Sequence, residues 1–238
     1  MSQISNFFDV ILKGESKTYN DHNWYTSSGI KGFIDGRGKP PYSLLKKPLS
    51  EYTLGEIKQF QARGRDSQGQ LWATGRYQII PNTLKGVQKR LGLSDNTKYD
   101  ALTQDKMGLD LLNARKDIKN YLSGAVPDTQ ENREKAALQV AMIWSSVGVP
   151  FITKGRHRAV EKNQSYYSGG GDKASVKTED VQEALKNLRL NFNNAFSNST
   201  SKSKDGKKNR AWIFITLASL GAIGLGFAIY KLVKLKNK

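Results

Sequence analysis

Ala73-Thr74-Gly75-Arg76-Tyr77-Gln78-Ile79-Ile80-Pro81-Asn82-Thr83-Leu84 is the stretch on which the reading of this chain turns. Gly75 has no Cβ, so the backbone can reverse there at little steric cost. Pro81 has its φ already near the helical value, and the N–H it lacks is one that a first turn leaves unpaired anyway. The segment therefore predicts a turn followed by a helix running to Leu91, with Gly92 as its stop. Between turn and helix, Tyr77 offers a ring and Gln78 both a donor and an acceptor. That pair fits a packed turn as well as it fits a surface for polar ligands, so the rest of the chain has to decide.

Upstream, Ile4, Phe7, Phe8, Ile11 and Leu12 recur at helical spacing and predict an amphipathic helix over residues 3–14. Residues 24–48 carry Gly29, Gly32, Gly36, Gly38 and Pro40-Pro41 between short apolar pieces. Asp35-Gly36 is a tight-turn pair, so a small hairpin is expected there. Thr53-Leu54-Gly55-Glu56 reads as a capping box that launches a short helix with Leu54, Ile57 and Phe60 inward. Residues 63–70 read as a polar loop.

Downstream, Met107, Leu111, Ile118 and Leu122 mark one helix closed by Gly124. Thr129 caps the next, whose Ala136, Ala137, Val140, Ala141, Ile143 and Trp144 leave few polar faces and place it at the domain centre. Gly155 to Asn163 reads as one more short, very basic helix. From Ser165 the texture changes: Gly169-Gly170-Gly171 breaks the chain. Val181, Leu185, Leu188, Phe192 and Phe196 then give an amphipathic helix, fit either to pack on the domain or to pair with a partner. No internal repeat is present.

Residues 197–210 are rich in Ser, Asn and Lys and read as a flexible tether. Residues 211–230 then run for twenty positions without a charge, edged by Trp212 and Tyr230 and followed by Lys231, Lys234, Lys236 and Lys238. That length matches a bilayer's hydrocarbon core, and the flanks suit its interface, so a single transmembrane helix is expected. The sequence thus divides into a domain over 1–165, a Gly-rich loop and helix over 166–196, a tether over 197–210, a span over 211–230 and a basic tail over 231–238. The fold class is α+β and mostly helical, with a small β-hairpin.

Composition narrows the chemistry. The chain holds 38 Lys and Arg against 21 Asp and Glu, a net +17 spread along its length. Such a charge favours a polyanionic partner: nucleic acid, anionic lipid or an acidic bacterial wall. The basic stretches lack interleaved aromatics, which argues against nucleic acid. With no cysteine, disulfides and thiolate chemistry are excluded. His22 and His157 lack metal-ligand spacing, so no metal or other cofactor is expected and acid–base work falls to carboxylates.

Glu15 is placed for such work. It follows the predicted first helix, after Ile11-Leu12 and Gly14, where the helix's partial negative end and apolar walls both disfavour a carboxylate. A carboxyl kept protonated near neutral pH is what glycosidic cleavage needs in order to protonate the leaving oxygen. Gly75 would let backbone approach a sugar closely, while Gln78 could address hydroxyls or N-acetyl groups. Trp144-Ser145-Ser146-Val147-Gly148 adds an aromatic and two hydroxyls where a buried helix gives way to a loop.

Taken in order, these blocks resemble the lambda-type phage endolysins, lytic transglycosylases of the lysozyme-like superfamily. Phe7 to Ser16 is similar to that family's catalytic-Glu helix, Thr74-Gly75-Arg76-Tyr77-Gln78 to its Gly-Arg-Tyr-Gln segment, and Ile143-Trp144-Ser145-Ser146 to its Ile-Trp-Ala-Ser block. Leu91-Gly92-Leu93 and Thr103-Gln104-Asp105 fit the intervening stretch, so the likeness covers residues 4–163. The resemblance implies a lysozyme-like domain with Glu15 as catalytic acid/base. It places Tyr77, Gln78 and Ser145 in the substrate groove, with Arg76 and Trp144 in support. It also implies bacterial peptidoglycan as substrate, cut between N-acetylmuramic acid and N-acetylglucosamine with closure of a 1,6-anhydro ring. The chain departs from the family in a longer Glu15–Gln78 interval, with Pro40-Pro41 and the Thr53 helix expected along one side of the groove, and in its added tether and span.

Two other outcomes share the same fold: a hydrolytic muramidase using Asp21 or Asp35 as a second carboxylate, and an inactive lysozyme-like structural protein of a virion membrane. A charge-driven nucleic-acid or lipid binder is the third. Met1 to Phe8 runs straight into the predicted first helix, so no cleavable leader is expected, and lysines on both sides of 211–230 leave the orientation open. A membrane inside a phage particle, or the host inner membrane during lysis, would each bring the domain to the wall. Ala218, Ala222 and Gly226 form a small-residue stripe through which spans could self-associate.

Overall fold

The computed structural model describes residues 3–16, 18–26, 29–33, 45–62 and 71–200. The expected turn at Asp35-Gly36, the Pro40-Pro41 pair, the loop over 63–70 and the transmembrane span over 211–230 lie outside the described residues. Among the described residues no helix is long and apolar enough to cross a membrane.

The architecture is α+β and mostly helical. Helix α1 (Gln3–Leu12) opens it, followed by strands β1 (His22–Thr26) and β2 (Gly29–Phe33). Then come α2 (Leu54–Ala62), β3 (Leu71–Thr74), α3 (Pro81–Leu91), α4 (Ala101–Asn113), α5 (Lys116–Leu122) and α6 (Gln130–Ala141). A two-stranded ladder of β4 (Thr153–Lys154) and β5 (Ala159–Val160) precedes α7 (Thr178–Thr200). Strand β1 is central in a three-stranded antiparallel sheet of order β2-β1-β3. A hairpin forms from β1 and β2, with Thr26 paired to Gly29 at its closed end.

Several helices start and stop where local chemistry requires. The Thr53 N–H donates to Glu56 Oε2 at 2.7 Å and the Glu56 N–H to Thr53 Oγ1 at 3.3 Å, the reciprocal pair of a capping box. Helix α3 has Pro81 in its first turn and Gly92 at φ +62° as its stop. Thr129 caps α6 by accepting from the Asn132 N–H at 3.3 Å.

Other expectations need correction. The single helix through Met107 and Leu122 is two, because Arg115 is extended (φ −103°, ψ 118°) and α5 begins after it. The basic helix over 155–163 is instead the β4–β5 ladder, with Lys154 paired to Ala159 and the Gly155 N–H donating to Arg158 O at 2.9 Å. Helix α6 stops at Ala141, which leaves Ile143 and Trp144 in the turn beyond it. Helix α7 continues to Thr200, so residues 197–200 are helical and no longer part of a tether.

Helix α7 packs against helices that precede it, α1, α5 and α6, and Val181, Leu185 and Leu188 are buried in the same core as Phe7, Phe8, Ile11 and Leu12. Arg189 ties the packing by donating to Tyr121 O at 2.7 Å, its guanidinium over the Tyr121 ring. The choice the sequence left open, packing or partnering, falls to packing over this part of the helix.

Candidate active site

The chain leaves α1 through a tight turn in which the Glu15 N–H donates to Leu12 O at 3.3 Å and the Ser16 N–H to the same oxygen at 3.2 Å. Gly14 is required there by space: a Cβ would lie 2.6 Å from Ser146 Cβ and 2.5 Å from Ser175 Oγ. The close approach delivers Glu15 to the turn beyond α6, where the Ser146 N–H donates to its Oε1 at 3.1 Å.

Burial pushes the Glu15 carboxyl above its ordinary range. The Ser146 hydroxyl and N–H pull it back, and the charge of Asp172 pushes it up again. Burial wins because an anion loses more by leaving water than two hydrogen-bonding groups restore. Ser146 Oγ is itself buried beside the carboxyl without a well-formed hydrogen bond.

Glu15 opens onto a cleft of about 810 Å³. Tyr77, Gln78, Trp144 and Ser145 line it as well, so five of the six residues singled out in the sequence converge on one cavity. Arg76 does not line it. Its guanidinium instead pairs with Asp9 at 2.6 Å, donates to Tyr19 Oη at 2.7 Å and stands 4.0 Å from Asp105, pinning α1 and the following loop to α4. Arg76 thus acts on the site through framework alone.

The aromatic residues play a different part from a sugar platform. Tyr77 and Trp144 are each only 2% exposed, so neither ring offers a face to a ligand. The Tyr77 ring packs edge-on against Phe8 at 4.9 Å, and its hydroxyl donates to Asp105 Oδ1 at 2.7 Å. Burial and the Asp105 charge push that phenol far up, so it stays a donor. The Trp144 indole N–H donates to Tyr77 O at 3.2 Å, joining two blocks 67 residues apart. What these rings do is lock the backbone on which Gln78 and Ser145 sit.

Gln78 closes the turn. Its N–H and its Nε2 both donate to Gly75 O, at 3.1 and 2.9 Å, and its φ is +46°. A non-glycine residue in the left-handed region carries a conformational cost, and such costs concentrate at functional positions. The Gly75 N–H donates to Asp21 O at 2.7 Å, so the turn is held from the α1 side too.

Asp21 is not available as a second carboxylate. It accepts from Ser16 Oγ and Thr18 Oγ1, each at 2.8 Å, and so organises its own loop. Asp35 lies outside the described residues. The carboxylate that does share the cleft with Glu15 is Asp172, exposed and just after the glycine triplet. Asn82, Thr83, Arg115, Arg156 and Tyr167 also line the cavity and were not singled out in the sequence. For Asn82 and Thr83 the signal existed, as polar residues in the first turn beyond Pro81. No α2 residue lines the cavity, contrary to the expected role of the Thr53 helix. Among the described residues no cluster of three or more His, Asp or Glu could hold a metal ion.

Compared with known proteins, the chain matches no family model, no curated protein and no solved structure.

Proposed function

We propose that this protein is a lytic transglycosylase that cleaves the β-1,4 bond between N-acetylmuramic acid and N-acetylglucosamine in peptidoglycan, with Glu15 as its acid/base. The observation that carries the reading is Glu15 itself: a carboxyl at the end of α1, raised by burial, held by one backbone N–H and facing a large cleft. The likeness of the Glu15, Gln78 and Trp144 blocks to lambda-type endolysins supports it from the sequence side.

The chemistry requires one carboxyl in two protonation states. Protonated Glu15 donates to the bridging oxygen as the bond to the muramic C1 breaks, releasing a 4-hydroxyl on the N-acetylglucosamine side. The resulting Glu15 carboxylate takes the proton of the muramic C6 hydroxyl as that oxygen bonds to C1. A 1,6-anhydro ring closes and Glu15 is protonated again. The Ser146 N–H stabilises the anionic state between the two steps. Gln78 and Ser145 line the same cleft and would hold the sugar.

A hydrolytic outcome is the second reading, favoured by one observation: Asp172 lines the same cleft and acts on the charge of Glu15. A carboxylate there can activate water against C1. Mass spectrometry of the muropeptides released from purified sacculi separates the two. Anhydro-muramic ends are expected, and reducing ends would transfer the assignment to a muramidase. Glu15→Gln is expected to lower release at least about a thousand-fold, since the acid supplies both steps. Undiminished release by that variant would take the catalytic role away from Glu15, whereas no release by the wild type would favour a non-catalytic wall or virion protein. The reading also takes residues 211–230 as a membrane anchor.

A further inference from the structure

Three arginines, Arg90, Arg115 and Arg156, give one part of the cleft a cationic wall. Arg115 and Arg156 both line it, yet among the described residues neither has a carboxylate within ion-pair distance. Arg90 on the same wall differs, since Asp110 accepts from its Nε and Nη2 at 2.8 and 2.5 Å. Asp172 is near enough to raise the phenol of Tyr167 but pairs with neither free arginine.

Tyr167 draws the two guanidiniums together. Arg156 lies over its ring, 5.8 Å from the centroid, and the Tyr167 hydroxyl donates to Met142 O at 2.8 Å. Arg115 Nη2 reaches the same oxygen at 3.5 Å. Both cations also lower the pKa of that phenol, a further sign that they converge on it. One carbonyl cannot occupy the N–H groups of two guanidiniums. Those left over form planar forks, the geometry that accepts a carboxylate in bidentate fashion.

We infer that Arg115 and Arg156, set by Tyr167, form a carboxylate-binding subsite in the cleft. The enzyme would then take glycan carrying acid groups on its muramic residues and discriminate against neutral chito-oligosaccharide. The carboxylate comes from the stem peptide where one is attached, since its amide bond consumes the lactyl carboxyl, or from the lactyl ether where the muramic residue is bare. This inference rests on the glycan-cleaving reading, and a binding assay keeps the two separable.

The full chain carrying Glu15→Gln is titrated against three insoluble preparations: intact sacculi, sacculi stripped of peptide by an amidase, and sacculi whose carboxyls have been converted to amides. Adding Arg115→Gln and Arg156→Gln is expected to weaken binding to intact sacculi about five- to ten-fold. The charge-matched pair Lys106→Gln and Lys119→Gln, neither in the cleft, should change it less than two-fold. On amidated sacculi the arginine effect disappears. Its persistence on stripped sacculi shows that the lactyl carboxylate freed by the amidase also satisfies the pair, and its loss there assigns the peptide. Arg156→Gln alone, on an exposed turn, serves as the variant least able to disturb folding. Equal losses from the arginine and lysine pairs, or an arginine effect that survives amidation, would overturn the subsite. Wild-type protein that releases no muropeptide sinks the catalytic reading while leaving the binding result to stand or fall alone.

Discussion

An acid that must give up a proton near neutral pH needs surroundings that penalise its anion, and those around Glu15 act with unequal signs. Burial and Asp172 raise its pKa; the Ser146 hydroxyl and N–H lower it. Since the protonated form starts the proposed reaction, activity should fall as pH rises through the pKa of Glu15 in the folded protein. Ser146→Ala removes a lowering influence, so its alkaline limb should move to higher pH. Asp172→Asn removes a raising one and should move the limb lower, by the smaller amount. Because Ser146 Oγ is buried without a well-formed hydrogen bond, the alanine should not destabilise the fold. Profiles of kcat/KM against pH on sacculi test the pair. Limbs that stay fixed, or that move the same way, would remove Glu15 as the titrating group.

At the scale of elements, the turn that carries Glu15 depends on a helix that follows it by more than 160 residues. Helix α1 rests on α7, and Leu185 on α7 is fully buried in the shared core. Leu185→Ala should cost about 2–5 kcal/mol in urea unfolding. A loss under 0.5 kcal/mol would mean that α7 is an appendage. Local signals made α2, α3 and the start of α6 legible in sequence, because a capping box, a leading proline and a closing glycine act within one turn. The break between α4 and α5 was not legible, since neither Ala114 nor Arg115 is a breaker residue. The β4–β5 ladder was hidden by a run of cations that carries no periodicity. In the site, Glu15 and Gln78 could be picked out because their types and neighbours bear on chemistry. The inward turn of Tyr77 could not, because it depends on Asp105 and Phe8, remote in sequence. Asp172 and Arg156 came to the cleft from loops whose course only packing determines.

For the whole molecule the question is what holds the chain at its place of work, charge or an apolar span. Nine Lys and Arg against one Asp lie beyond Thr200, about half of the net +17, so removing that segment weakens attraction to anionic surfaces as well as any anchor. Salt separates these contributions. At about 1 M the Debye length shrinks to about 3 Å, and binding by surface charge is largely lost. A twenty-residue uncharged helix in a bilayer is indifferent to salt, because its stabilisation comes from apolar transfer. The full chain should therefore stay with membranes through a wash at about 1 M salt, whereas a chain ending at Thr200 should leave them. Since the core and cleft close before that point, the shortened chain should release muropeptides from isolated sacculi at a rate within about two-fold of the full chain. Release of the full chain by salt alone would reduce residues 201–238 to a charged tail. Retention of the shortened chain after the same wash would locate the membrane contact within residues 1–200.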